Sequence, residues 1–295
     1  MAEGSSRPWR LYLLLVFVMF IWSTNFIATK MALREVPGLL LSGFRILWAA
    51  IFLIPVYLWA VRKSGRTWTN SDGFKMAMLG IVGIGLNQMF FILGLARTTV
   101  SHAAFIFGTV PLAVLLMSRY FGIETISARK VWGILLALSG VAVLQARNAA
   151  SVGPSIAGDL FILGSALTFA CYIVFGKSNV QRFGPIIPTT IAFFAGAIAL
   201  LPMTIYLGYD FDFTKVTAYG WGGMLYMAIG SSVIASLLYY YVLGHLPASR
   251  VSSFSYLQPL MASTLGITLL GEHLTTSLVS GGVLILGGVY LTERN

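Results

Sequence analysis

Charged side chains are scarce in this chain, and their scarcity decides its solvent. Only 9% of the 295 residues are Asp, Glu, Lys or Arg, against about a quarter in soluble domains. Acids are rarer than bases, 9 against 19, and none falls in the middle of an apolar run. An intramembrane enzyme would need a carboxylate or histidine constellation there, so no catalytic residue, metal or cofactor is expected. Nor does a Lys or Arg cluster lie deep in an apolar run. This excludes phosphorylated or nucleotide-linked cargo, because a buried phosphate needs cationic partners. The bases form no run, so the net charge of +10 reads as membrane topology and not as a nucleic-acid surface. Cysteine is nearly missing: Cys171 stands alone, and no intramolecular disulfide is possible.

What remains is apolar. Hydrophobic residues make up 58% of the chain and the mean hydropathy is +0.86, which reads as an all-α integral membrane protein. A bilayer span needs roughly 17–25 apolar residues. With charged residues as boundaries, ten spans emerge: Leu11 to Thr29, Leu39 to Val61, Met76 to Ala96, Thr98 to Ser118, Val131 to Ala146, Leu160 to Gly176, Ile186 to Gly208, Ala218 to Leu243, Val251 to Leu270 and Thr275 to Thr292. Helices follow, and not barrel strands, because the runs are continuous and do not alternate. The first run is too long for a signal-peptide core and reads as an uncleaved helix, with residues 1–10 as a cytoplasmic tail. Setting Arg45 aside, placing both termini in the cytoplasm puts 13 Lys and Arg inside and 5 outside. That bias orients a multi-pass protein of the inner (cytoplasmic) membrane.

The chain also repeats itself. Pro111, Glu124, Gly133 and Gly140 recur 148 residues later as Pro259, Glu272, Gly281 and Gly288. The repeats run over residues 11–147 and 156–292 with five spans each. An odd number of spans reverses the second copy in the bilayer. Inverted repeats are typical of secondary transporters, with the substrate near the midplane between them.

These residues resemble the drug/metabolite transporter superfamily, specifically its ten-span members built from two EamA-type repeats. The resemblance is carried by Trp22-Ser-Thr-Asn25-Phe26, Arg45, the paired Pro, Glu and Gly sets, and Asp159. It covers essentially Leu11 to Thr292, and within the superfamily the chain is most similar to the YddG-type amino-acid exporters. The resemblance implies a central cavity formed by spans one to four and six to nine, with spans five and ten packed outside it.

Several side chains are candidates for that cavity. Trp22 and Asn25 lie three residues apart on one helix face, where an indole and an amide together grip an aromatic side chain and an amine. Alternatively, Asn25 bonds one helix to another. Asn87 and Phe91 sit among Gly80, Gly83 and Gly94, a stripe that reads as a helix interface with Asn87 at its edge, or as a ligand site. His102 either meets a carboxylate or packs. Tyr239, Ser252 and Tyr256 belong to polar and aromatic stripes with Ser232, Ser236 and Ser263 that face either a cavity or a neighbouring helix. Pro111 and Pro259 free the carbonyls of Phe107 and Ser255 and read as a hinge or as simple curvature. Arg45 is expected to snorkel to the outer interface. Glu124 and Glu272 are expected to cap the fifth and tenth helices.

The expected function is export of small neutral or zwitterionic metabolites, amino acids including aromatic ones, by alternating access. With no central carboxylate, facilitated movement without proton coupling is the default. The alternatives are a broad exporter of hydrophobic drugs and a non-transporting scaffold. The expected partners are the small-molecule substrate and the lipid bilayer. The glycine-rich tenth span leaves a monomer and a homodimer both open.

Overall fold

The computed structural model describes residues 8–65, 67–98, 100–145, 155–270 and 276–293, and every regular element among them is helical. In chain order these are α1 (Pro8–Ala32), α2 (Gly38–Ser64), α3 (Asn70–Arg97), α4 (Val100–Phe107), α5 (Val110–Tyr120), α6 (Ala128–Gln145), α7 (Ile156–Phe183), α8 (Ile186–Tyr209), α9 (Ala218–His245), α10 (Ala248–Ser253), α11 (Leu257–Leu270) and α12 (Thr276–Glu293). Six of them, α1, α2, α3, α7, α8 and α9, are long and apolar enough to cross a bilayer. Large apolar side chains such as Ile51, Phe52, Ile198, Ile205 and Val283 point outward, as a lipid-facing surface requires.

Local chemistry sets the ends. Thr69 and Asp72 form a capping box at the start of α3, and Thr217 accepts from the Gly220 N–H at the start of α9. Gly65, with φ of 57°, closes α2 in the left-handed conformation a glycine adopts freely. Charged residues prove poorer boundaries than expected. The first span runs past Lys30, whose ammonium turns back to the carbonyls of Leu95 (2.5 Å) and Thr98 (3.0 Å). The sixth runs past Lys177, whose ammonium lies 3.6 Å from Glu124.

The irregularities of the two halves correspond. The fourth predicted span is interrupted at Gly108 and Thr109, just ahead of Pro111, and the ninth passes through a 3₁₀ turn, Phe254–Tyr256, just ahead of Pro259. Both α3 and α9 contain a π-helical stretch, Ile81–Leu86 and Tyr226–Ile234. Pro55 inside α2 and Pro202 inside α8 are 147 residues apart.

Packing follows the same correspondence. Helix α3 packs on α7 and α8, and its counterpart α9 packs on α1 and α2. The pair α4–α5 packs on α7, and the corresponding α10–α11 region packs on α1. The self-corresponding pairs α2 with α8 and α6 with α12 also meet. At the α6–α12 crossing the repeated glycines touch backbone to backbone. A Cβ at Gly140 would press on the Gly281 carbonyl oxygen at 2.7 Å, and one at Gly133 on the Gly288 carbonyl oxygen at 2.8 Å. These glycines therefore serve a contact within the chain.

Side-chain ties join the halves at their ends. Glu35, between α1 and α2, accepts from the Thr217 N–H (2.7 Å) and hydroxyl (2.8 Å), and Arg182 at the end of α7 pairs with Asp72 at 2.8 Å. Glu124 departs from the expected role. Its carboxylate does not cap the fifth helix but accepts from the Ala248 N–H and the Ser249 hydroxyl, both at 2.5 Å, at the start of α10. Short-range sequence reasoning placed it on the nearest helix start, whereas packing brings α10 against α5. Glu272 lies outside the described residues.

Candidate functional site

One cavity lies where α1, α2, α3, α4, α7, α8, α9 and α11 converge, and neither α6 nor α12 contributes to its wall. It encloses about 60 Å³, room for about two waters and well below the roughly 300 Å³ or more of a typical small-molecule site.

Much of the wall is aromatic. Ring contacts run without a break from Phe26 to Phe91 (5.3 Å), Phe91 to Phe107 (6.0 Å), Phe107 to Phe169 (5.8 Å), Phe169 to Trp22 (5.7 Å) and Trp22 to Tyr239 (5.0 Å). Polar groups share the wall with these rings. Asn25 and Gln88 reach the cavity, and the amide oxygens Asn25 Oδ1 and Gln88 Oε1 are buried without a hydrogen-bond partner among the described residues. Ser231, Ser236 and Gln258 complete the polar set.

The π-helical stretch of α9 organises this centre. It presents the Ser231 carbonyl to the Trp22 indole N–H (3.2 Å) and turns the Ser231 and Ser232 hydroxyls toward Arg45. The Ser232 hydroxyl is anchored five residues back on the Met227 carbonyl at 2.9 Å, and π turns of this kind recur at functional sites. Tyr226, at the head of the stretch, donates to the Ile21 carbonyl at 3.0 Å and bonds with the Thr24 hydroxyl, which ties α9 to α1. Ser23 adds a donor to the Gln258 carbonyl at 3.1 Å and docks α1 against α11.

Arg45 overturns the expectation of a snorkelling side chain. It is 3% exposed and lines the cavity, with Nε donating to Ser232 Oγ at 2.9 Å and Nη2 to Ser231 Oγ at 3.0 Å. Its nearness to the start of α2 pointed to the interface. The serines of α9, 186 and 187 residues away, draw it inward instead.

Of the residues singled out from sequence, Trp22, Asn25, Asn87 and Phe91 are brought together on the wall. Asn87 is held structurally: Nδ2 donates to the Ser165 carbonyl (2.7 Å) and hydroxyl (3.0 Å), and Oδ1 accepts from Gln88 at 3.3 Å. Tyr239 is fully buried behind the Trp22 ring, and its hydroxyl has no partner among the described residues. Ser252 is spent on the Ser249 carbonyl at 3.1 Å, and Tyr256 is buried off the wall. The side chain of His102 lies outside the described residues. Pro111 and Pro259 stand beside the two helix interruptions and not on the wall.

Sequence reasoning missed Arg45, Gln88, Phe107, Phe169, Phe193, Tyr240 and Gln258. The repeat offset held a signal for one of them: Phe169 is the counterpart of Trp22 at 147 residues.

The EamA-like transporter family matches residues 9–145 and 156–294. An uncharacterized transporter of Archaeoglobus fulgidus is 30% identical over 96% of this chain and 98% of its own length. A Salmonella typhimurium protein named "Probable amino-acid metabolite efflux pump" is 26% identical over 94% of this chain and 93% of its own. A solved crystal structure superposes with a TM-score of 0.79 at 20% identity, covering 98% of this chain and 97% of that one. That last likeness speaks for the fold alone.

Proposed function

Because the chain belongs to the EamA-like transporter family and is a multi-pass membrane protein, we propose that it exports amino acids, aromatic ones among them, by alternating access. It does so across the inner membrane, with both termini in the cytoplasm. Ten spans in two inverted repeats, residues 11–147 and 156–292, surround the cavity, and one repeat's helices rock against the other's. The reciprocal packing and the matching interruptions near Pro111 and Pro259 support this arrangement, with the prolines as hinges.

The observation that carries the cargo assignment is the composition of the cavity. Aromatic rings share the wall with two amides whose buried oxygens lack donors among the described residues, and an unpartnered buried acceptor costs about 1–3 kcal/mol until a donor arrives. An ammonium supplies that donor while an apolar side chain lies against the rings. The name of the Salmonella relative agrees with this reading. The cavity's 60 Å³ is too small for such a cargo, which supports a site that opens in turn to each side. No carboxylate lines the wall among the described residues, so the transporter works as a facilitator without proton coupling.

The test is uptake of labelled tryptophan, phenylalanine, methionine and threonine into proteoliposomes, with and without an imposed pH gradient, beside a Trp22→Ala/Asn25→Ala variant. Saturable uptake that needs no gradient and is lost in the variant is the expected result. Absence of uptake for every amino acid refutes the cargo, and uptake only with a gradient refutes the facilitator.

A further inference from the structure

Arg45 is the one cation on the cavity wall among the described residues, and its charge is not neutralised there. Its two hydrogen-bond partners are serine hydroxyls, which are neutral acceptors. A guanidinium has five N–H donors. The Nε and one Nη2 hydrogen are engaged, while Nη1 is buried with no partner among the described residues. Five of the described acids are committed elsewhere, Glu35 to Thr217, Asp72 to Arg182, Glu124 to α10, Asp159 to Thr98 and Asp212 to Thr214, and no acid lines the wall among the described residues.

A charge held this way is costly. Removing an ion from water carries an effective penalty of several kcal/mol, and two neutral acceptors offset only part of it. The arrangement nonetheless holds the guanidinium rigidly. The serines clamp one edge, the Trp22 indole donates to the Ser231 carbonyl, and the end-on edge is left unengaged, with Nη1 buried and unpartnered among the described residues. That edge matches a planar, two-oxygen anion. At the offset of 147 residues that relates Pro55 to Pro202, the repeat-equivalent position is Ala192, so the repeat supplies no second cation. A single guanidinium matches a carboxylate, whereas a phosphate dianion calls for a cluster.

We propose that Arg45 anchors a carboxylate of the cargo, so that the site takes amphipathic monocarboxylates and rejects the corresponding amines. The proposal rests on the transport reading of the same cavity and narrows it: the carboxylate is the required group and the ammonium an additional one. Ser231 and Ser232 are positioning residues that hold the guanidinium at the cavity.

The test uses three ligands with the same phenyl group on the purified full chain: phenylalanine, 3-phenylpropionate, which lacks the amine, and phenethylamine, which lacks the carboxylate. Binding is read as ligand-dependent thermal stabilisation in detergent and flux in proteoliposomes. Phenylalanine and 3-phenylpropionate bind, and phenethylamine binds on the order of 10- to 100-fold more weakly, the loss of a charge-assisted hydrogen-bonded pair. Arg45→Gln abolishes the difference and Arg45→Lys restores part of it. The wild-type comparison stands even if the variants fold poorly. Phenethylamine binding as well as phenylalanine, a carboxylate preference surviving in Arg45→Gln, or no binding of any of the three overturns the anchor. Carboxylate-selective binding without flux overturns the transport reading and leaves the anchor standing.

Discussion

At the scale of single residues, the centre of the molecule is a set of polar atoms held by neighbours and left without ligands of their own. Asn25 Oδ1 is one of them. Asn25→Ala lowers phenylalanine flux about 10-fold by removing an acceptor for the ammonium. It leaves 3-phenylpropionate flux unchanged, and comparing the two fluxes in one preparation checks the assignment. Trp22→Phe retains a ring but leaves the Ser231 carbonyl without its indole donor, which costs about 1 kcal/mol of stability and is measurable as a lower unfolding temperature in detergent. Trp22, Asn25 and Phe91 were legible because polar and aromatic residues sharing a helix face in mid-membrane stand out against an apolar background. Arg45 was not, because its partners lie on α9 and no local pattern announces a contact across the chain. Tyr239, Ser252 and Tyr256 sat on equally good stripes, of which Ser236 reaches the cavity wall while these three side chains are buried off it.

At the scale of elements, two devices hold the bundle. The first is the α6–α12 crossing, where the repeated glycines let the backbones touch. Gly140→Leu forces the helices apart and lowers stability by about 1–3 kcal/mol; because neither helix lines the cavity, surviving protein keeps its affinity for cargo. Thermal unfolding and ligand binding on the same sample separate these effects. The second device is Glu124, which joins the α5–α6 turn to α10 with Lys130 and Lys177 each 3.6 Å away. Burial alone would push its carboxyl up, but the Ser249 hydroxyl, Lys177, the Ala248 N–H and Lys130 together hold it below the ordinary value of 4.5. A depressed carboxyl stabilises the fold fully above its unfolded value and loses that contribution as pH falls through the lower folded one. Glu124→Gln therefore lowers the unfolding temperature at neutral pH, and the gap to wild type begins to narrow as pH falls to about 4.5 and closes below the lower folded value. An equal gap at all pH values would show that the contact is not ionic. The paired prolines announced the interruptions, because proline restricts the backbone by itself, whereas the repeated glycines left open whether they serve a contact within the chain or between chains. The role of Glu124 was hidden, since a cap can serve any helix start that packing brings near.

At the scale of the whole molecule, the sequence displayed its helical class openly, because the apolar runs are one-dimensional signals. The span ends were less clear, because Lys30 and Lys177 fold back onto carbonyls and a carboxylate instead of marking an interface. The central claim is that one cavity is open in turn to the two faces of the membrane. The direct measurement places a single cysteine on its wall, Ser236→Cys in a Cys171→Ala background, and follows its reaction with a membrane-impermeant maleimide applied from either side of sealed vesicles. Alternating access predicts reaction from both sides, with phenylalanine added on one side changing the rate on the other. A cysteine that reacts from one face only, whatever cargo is present, would contradict it.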